Sequence, residues 1–164
     1  MSVSAFLKVD GIDGESTDSE HSKWIELHSF SMGCSQSESG SSISQGGALA
    51  SGRSFMNSFT VAKNIDKASP KLWEACLLGK HIDTVTLSVA RQTGGSSGAV
   101  EFIKYEIKQT LVTSVSQGGS DGDSLPYENV SFVGVKHTVT YTETDTKGSK
   151  KGQVEATYDL SKNK

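Results

Sequence analysis

Long apolar runs are missing from this sequence. No stretch approaches the ~18 consecutive apolar residues of a membrane-spanning helix, and Met1–Asp10 has no basic segment leading into an apolar one. Neither a membrane span nor a Sec signal is expected. The chain is expected to be made in the cytoplasm, and any export would take another route. Cysteine is scarce too. Cys34 and Cys76 are too few for a disulfide framework, so reduced thiols are expected. An excess of one charge is also lacking: 16 basic and 19 acidic residues are interspersed, for a formal net charge of −3. No basic stripe collects phosphates, which argues against a nucleic-acid partner. The one cationic cluster, Lys147, Lys150 and Lys151, sits in a glycine-bearing turn and reads as solvated loop.

Metal-ligand spacing is absent as well. His21, His28, His81 and His137 form no H-x-x-x-H or H-E-x-x-H, and there is no C-x-x-C. The stretch QGGSDGDSLPYENVSF, Gln117 to Phe132, tempts a calcium reading. Started at Asp121, an EF-hand loop would put Leu125 at its fifth position, Pro126 at its sixth and Phe132 at its twelfth, where oxygen, glycine and glutamate belong. The same stretch holds a G-x-S-x-G at Gly118, Ser120 and Gly122, and a second copy lies at Gly94, Ser96 and Gly98. A nucleophile elbow needs a helix after the serine. Strand patterns follow both copies, so both read as hairpin connections. Asn129-Val130-Ser131 is a sequon in letters only, inside a strand pattern. No catalytic, metal or cofactor-binding residue is assigned, and an enzyme is not expected.

What the sequence does have is alternation. Its 164 residues are 34% apolar and include 17 glycines; together these make roughly 44%, near the lower edge of globular chains. One domain over residues 1–164 is expected. Ile103, Tyr105, Ile107, Leu111 and Val115 alternate with polar residues. So do Tyr127, Val133, Val135, Val139 and Tyr141; Val85, Leu87 and Val89; and Val154, Ala156, Tyr158 and Leu160. Each set predicts a half-buried strand, and residues 5–9 and 55–61 add two shorter ones. SPKLWEACLLGK breaks the period. Ser69 as N-cap, Pro70 at the first position and Gly79 as terminator predict one helix over about 70–79, with Leu72, Trp73, Cys76 and Leu77 as its inner face. The class predicted is mainly β: an antiparallel barrel or sandwich with one short helix. Residues 36–53, polar and glycine-rich, predict a long extended loop.

The segment WIELHSFSMGCSQS, residues 24–37, carries an unusual face. Beyond His28, Phe30, Met32 and Cys34 alternate with Ser29, Ser31, Gly33, Ser35 and Ser37, all small and uncharged. Such a face suits the approach of another surface or the lining of a confined aqueous cavity. Ile25 and Leu27 fall on the opposite parity, so a bulge or bend is expected near His28.

Three blocks, GESTDSEHSKWIELHSFSMGCSQ, GRSFMNSFTVAKNIDKASPKLWEACLLGKH and SVSQGGSDGDSLPYENVSF, resemble the haemolysin-coregulated protein (Hcp) family of type VI secretion systems. The resemblance implies a β-barrel with one helix that assembles as a homohexameric ring. Such rings stack into a tube, which a contractile sheath propels beneath a spike protein, and the lumen carries small secreted effectors. It implies secretion through the type VI system, with Ser31 lining the lumen and Ser29 and Gly33 beside it. It also implies that the loop reaches the next ring through Glu38, Ser42, Gln45, Gly46, Gly47 and Arg53. Two rival readings are a monomeric carbohydrate- or protein-binding β domain acting through that loop, and a hydrolase using Ser96 or Ser120.

Overall fold

The computed structural model describes residues 3–39, 50–92, 99–122, 124–145 and 149–163. In chain order the elements are β1 (Val3–Val9), β2 (Ile25–Leu27), β3 (Ser29–Ser31), β4 (Cys34–Ser39), β5 (Ala50–Met56), β6 (Phe59–Asn64), α1 (Ser69–Leu78), β7 (His81–Gln92), β8 (Ala99–Gly118), β9 (Tyr127–Thr144) and β10 (Lys150–Asp159). One antiparallel sheet runs β2-β1-β7-β8-β9-β6-β3, with β10 beside β9. The hairpin β4–β5 is a separate two-stranded ribbon.

β8 and β9, at 20 and 18 residues, are too long for one flat face, and each serves two parts of the same sheet. The first part of β8 pairs with β7 and the last part of β9 with β10, while the first part of β9 pairs with β6. Between these parts the two strands turn a corner together. Gln109 has φ 54°, in the left-handed region. Opposite it a side chain at Gly134 would run into Ile107, so only glycine fits the bend. Two side chains collect carbonyls at the corner. Thr110 Oγ1 donates to Ile107 O at 3.1 Å, and His137 Nε2 donates to Gly134 O at 3.0 Å.

The bend encloses the core. Leu7, Val85, Leu87 and Ile107 face Val61, Phe59, Val130 and Phe132, all at most 1% exposed. Phe59 and Phe132 are cross-strand partners with ring centroids 6.0 Å apart. Each such side chain contributes about 1.5–3 kcal/mol by leaving water. Leu72 and Ala75 of α1 cover one side of this core.

The expected fold class holds, with corrections in detail. The corner reverses parity, so the predicted inward sets for β8 and β9 are only partly inward. Thr110 and Val112 are buried rather than Leu111, and Glu128, Val130 and Phe132 rather than Tyr127 and Val133. The strand predicted over 55–61 is two strands, broken where Asn57 N–H donates to Gly33 O at 2.9 Å. The expected bend at His28 is a change of partner: β2 pairs with β1, and β3 with β6. The loop over 36–53 is, in its described part, a hairpin. A ribbon outside the core needs ladder hydrogen bonds and no apolar face.

The helix stands where expected, but its cap and its inner face differ from the prediction. Its cap position is Ala68, and Asp66 Oδ1 accepts the Ala68 N–H at 3.0 Å. Ser69 is the first helical residue and is 2% exposed, its hydroxyl committed to Glu128. Gly79, at φ 58°, ends the helix as expected. The inner stripe is Leu72 and Ala75, with Cys76 half-buried beside them, whereas Trp73 and Leu77 face outward.

Burial holds His137 below the ordinary imidazole value of 6.5, the bond to Gly134 O opposing this less strongly. Its Nδ1 is buried without a partner, so a second proton would have no acceptor. The unfolded chain takes up a proton near 6.5 and the folded chain does not. This contribution to stability is therefore complete above 6.5 and is lost as pH falls through the lower folded value. His137→Gln keeps a donor and removes the titration. Urea midpoints should fall from pH 7.5 to 5.5 more steeply in the wild type than in the variant; equal slopes would rule His137 out as the source.

Candidate functional site

Antiparallel register carries the serine face across four strands. Ser31 pairs with Thr60, Thr60 with Ser131, and Ser131 with Ser114. One row over, Ser29 pairs with Ala62, Ala62 with Asn129, and Asn129 with Ser116. Directly paired residues share a face. These two rows therefore form one surface, opposite the core side that holds Val61 and Val130. Every member is exposed or half-buried. None is charged, and none is longer than asparagine. Thr60 Oγ1 and Ser131 Oγ lie 3.0 Å apart, and Thr113 Oγ1 donates to Ser131 O at 3.2 Å.

Of the residues predicted for this surface, Ser29 and Ser31 lie on it. Gly33 falls in the connector after β3, where a Cβ would come within 2.9 Å of Asn57 Nδ2. Thr60, Ala62, Asn129, Ser131, Ser114 and Ser116 were missed. The signal was there: in FTVAKN and YENVSF these residues occupy the parity opposite Val61 and Val130. Among the predicted loop residues, Glu38 pairs in register with Ser51, and Arg53 N–H donates to Ser37 Oγ at 2.7 Å. Ser42, Gln45, Gly46 and Gly47 lie outside the described residues.

Behind the face lies a buried ionic cluster that sequence reasoning did not find. Lys63 and Glu128 are cross-strand partners, both side chains fully buried, with Nζ and Oε2 2.8 Å apart. Lys63 Nζ also reaches Asp66 Oδ1 at 2.7 Å, and donates to Asn64 O and Ser69 Oγ at 3.0 Å each. Glu128 accepts from Ser69 Oγ and Gln117 Nε2, each at 2.8 Å. The cluster ties β6, β8 and β9 to the start of α1. Parity again was the clue, since Lys63 follows Phe59 and Val61 inward.

A third cluster has the letters of a catalytic triad. Asp18 Oδ1 accepts from His21 Nδ1 at 2.9 Å, and His21 Nε2 lies 2.8 Å from Ser88 Oγ. His21 stacks on Phe6, ring centroids 4.4 Å apart, and meets the Trp24 ring edge-on. The His21 hydrogen bond holds the Asp18 carboxyl below its ordinary range. Ser88 is 0% exposed and its hydroxyl donates to Glu101. A nucleophile must present its oxygen to substrate, and this one is spent inside the protein. The arrangement pins the 13–24 segment onto β7 and β8. Ser120 sits in the β8–β9 connector with a strand after it, and Ser96 lies outside the described residues. Among the described residues no three His, Cys, Asp or Glu side chains gather as a metal site, and no helix is long and apolar enough to cross a membrane.

Removing Lys63 leaves the buried Glu128 carboxylate uncompensated, which costs about 3–5 kcal/mol. Lys63→Met should lower the unfolding free energy read from urea denaturation by about that amount, and Glu128→Leu by less, because Asp66 still pairs with Lys63. The double variant should recover most of the loss. Additive losses in the double-mutant cycle would show that the two charges do not depend on each other.

The profile of the family described as "Type VI secretion system effector, Hcp" matches residues 6–141. The Pseudomonas aeruginosa protein hcp1 is 36% identical over 152 residues, which cover 93% of this chain and 91% of that one. Among solved structures, one described as a type six secretion system protein superposes with a TM-score of 0.88 at 30% identity, covering 99% of both chains. Hcp1 from Salmonella typhimurium gives 0.75 at 30% identity, covering 100% of this chain and 99% of the other. A type VI secretion system effector from Yersinia pestis gives 0.73 at 30% identity, covering 94% and 98%.

Proposed function

The chain belongs to the Hcp family of type VI secretion proteins, and from that premise we propose that it is a structural subunit of a hollow tube, without catalysis, whose lumen is lined by the small polar face. The observation that carries this reading is the sheet β3-β6-β9-β8 itself. Its outer surface offers hydroxyls and an amide but no charge, and both of its edges lack a further strand among the described residues. β3 pairs only with β6, and β8 beyond Leu111 pairs only with β9. Open edges of this kind invite another strand, and a head-to-tail contact that closes on itself gives a ring.

Six copies, the number the resemblance implies, would give a bore of useful size. Six four-stranded sheets make about 24 strands, and at roughly 4.8 Å each they enclose a circle about 115 Å round and ~37 Å across. A folded domain of about 100 residues, with a radius of gyration of ~13 Å, fits such a bore. Small folded effectors are the cargo this favours. The β4–β5 hairpin leaves the sheet at the ends of β3 and β6, so it projects past the rim of the ring. That projection supports ring-on-ring stacking through Glu38, Ser42, Gln45, Gly46 and Gly47, with Arg53 at the hairpin base. In the assembled system the spike protein would close the tip and the sheath would surround the tube. Secretion through the type VI system itself completes the reading.

Two measurements test it. The purified chain should have the native mass of about six copies and show an open centre in negative stain; a monomer at micromolar concentration would overturn the reading. Ser31→Arg should leave fold and ring mass unchanged while sharply reducing the small proteins that co-purify with the ring. Collapse of the ring would mean that Ser31 packs against protein instead of facing the lumen.

A further inference from the structure

We propose that the outward side of α1 is a socket for the neighbouring copy of this chain, and that the β3 flank of that copy, led by Phe55 and Arg53, fills it. The inference rests on the ring reading above and assigns its lateral contact.

The helix is apolar on both sides. Leu72 and Ala75 face the core, yet Trp73, Leu77 and Leu78 are 47%, 76% and 70% exposed. With Ile65 they line a concavity that also takes in Glu74 and Gln117. Large apolar side chains wetted together mark a contact surface, and here they cluster on the outward side beside the exposed Glu74.

Position identifies the occupant. Gln117 belongs to the distal half of β8, the half without a second strand partner, so the concavity borders one edge of the small polar sheet. The other edge is β3, which runs through Met32 and Gly33 straight into the β4–β5 hairpin. In a head-to-tail ring the neighbour that continues the wall past β8 arrives with its β3 edge first, and so lies against α1. At the hairpin base Phe55 is 49% exposed, and Arg53, two residues away on the same face of β5, is exposed beside it. One flank thus offers an aromatic ring and a cation, and the other an apolar hollow with the Glu74 carboxylate. The two patches complement each other in shape class and in charge, and neither complements itself. That is the requirement for a ring rather than a symmetric dimer.

Leu77→Asp and Phe55→Asp each spoil one patch at a position already exposed in the single chain. Circular dichroism and melting should show both variants folded. Light scattering should show each losing rings, with the concentration for half-assembly raised at least about tenfold. Mixed in equal amounts, they retain one intact Phe55 patch and one intact socket between them. The mixture should therefore form dimers that neither variant forms alone. Rings as stable as wild type in Leu77→Asp would overturn the socket while leaving the ring reading standing. Two variants that stay monomeric when mixed would overturn the pairing of these patches. A wild type that never assembles would instead overturn the ring reading. If Leu77→Asp unfolds, Leu77→Ser and Trp73→Ser take its place under the same criteria.

Discussion

Two long strands have to serve both halves of one bent sheet, and the rest of the molecule follows from how they bend. A flat β8–β9 pair would hold its apolar residues on one parity throughout and leave half of them in water. The turn at Gln109 and Gly134 reverses the parity, so Ile107 before it and Val112 after it face the same core. A bend that sharp exposes carbonyls to an apolar interior, where an unmet acceptor costs about 1–3 kcal/mol. Thr110 and His137 meet two of them by reaching back three residues on their own strands. The two strands solve the same problem with different side chains. The histidine solution leaves one ring nitrogen buried without a partner, so a second proton on that ring would be costly.

The Lys63–Glu128 cluster does a different job. Burying two charges is not by itself a source of stability, since apolar residues of similar volume often serve as well. What the cluster supplies is position. Lys63 has donors to spare and Glu128 has acceptors to spare, and the surplus is used up by Asp66, Ser69 and Gln117. Those three residues lie before α1, at its first position and on β8. The helix is thereby fixed against the sheet whose outer surface is the small polar face, at the sheet edge where β8 has no further strand. An apolar interface there could slide, whereas directional bonds to a buried carboxylate cannot without stranding a charge.

Much of this was legible in the sequence, and the failures share one cause. Strand existence, the helix with its Gly79 stop, the break at His28 and the serine face of β3 all rest on local pattern, and local pattern was enough. Parity on β8 was misread from the corner to the irregularity at Val112–Ser114, because one left-handed residue, not any change in composition, reverses it; beyond that point Val115 packs on the core as expected. Trp73 was placed inward because helical spacing puts it near Leu72 and Cys76. Spacing cannot tell which of two apolar sides meets the core when both are apolar. The Lys63–Glu128 pair was not found, although both residues share the inward parity of Val61 and Val130. Their pairing is a fact about strand neighbours 65 positions apart, and no local window holds it.

The composition of the polar face carries a further consequence. A surface that must hold a passenger and later release it cannot offer large apolar patches, whose burial would make departure slow. Nor can it offer fixed charge, which would select one sign of passenger and repel the other. Serine, threonine, asparagine and alanine avoid both. Their hydroxyls are short and already partly bonded to one another, as Thr60 is to Ser131. Each contact with a passenger therefore exchanges one weak hydrogen bond for another, with a net gain well under the ~1 kcal/mol of a typical bond. On the proposed carrier reading, enclosure by the wall adds to these weak contacts in retaining a passenger. Under that reading the wall must be continuous, so the edges at β3 and β8 would matter to a passenger as much as the serines.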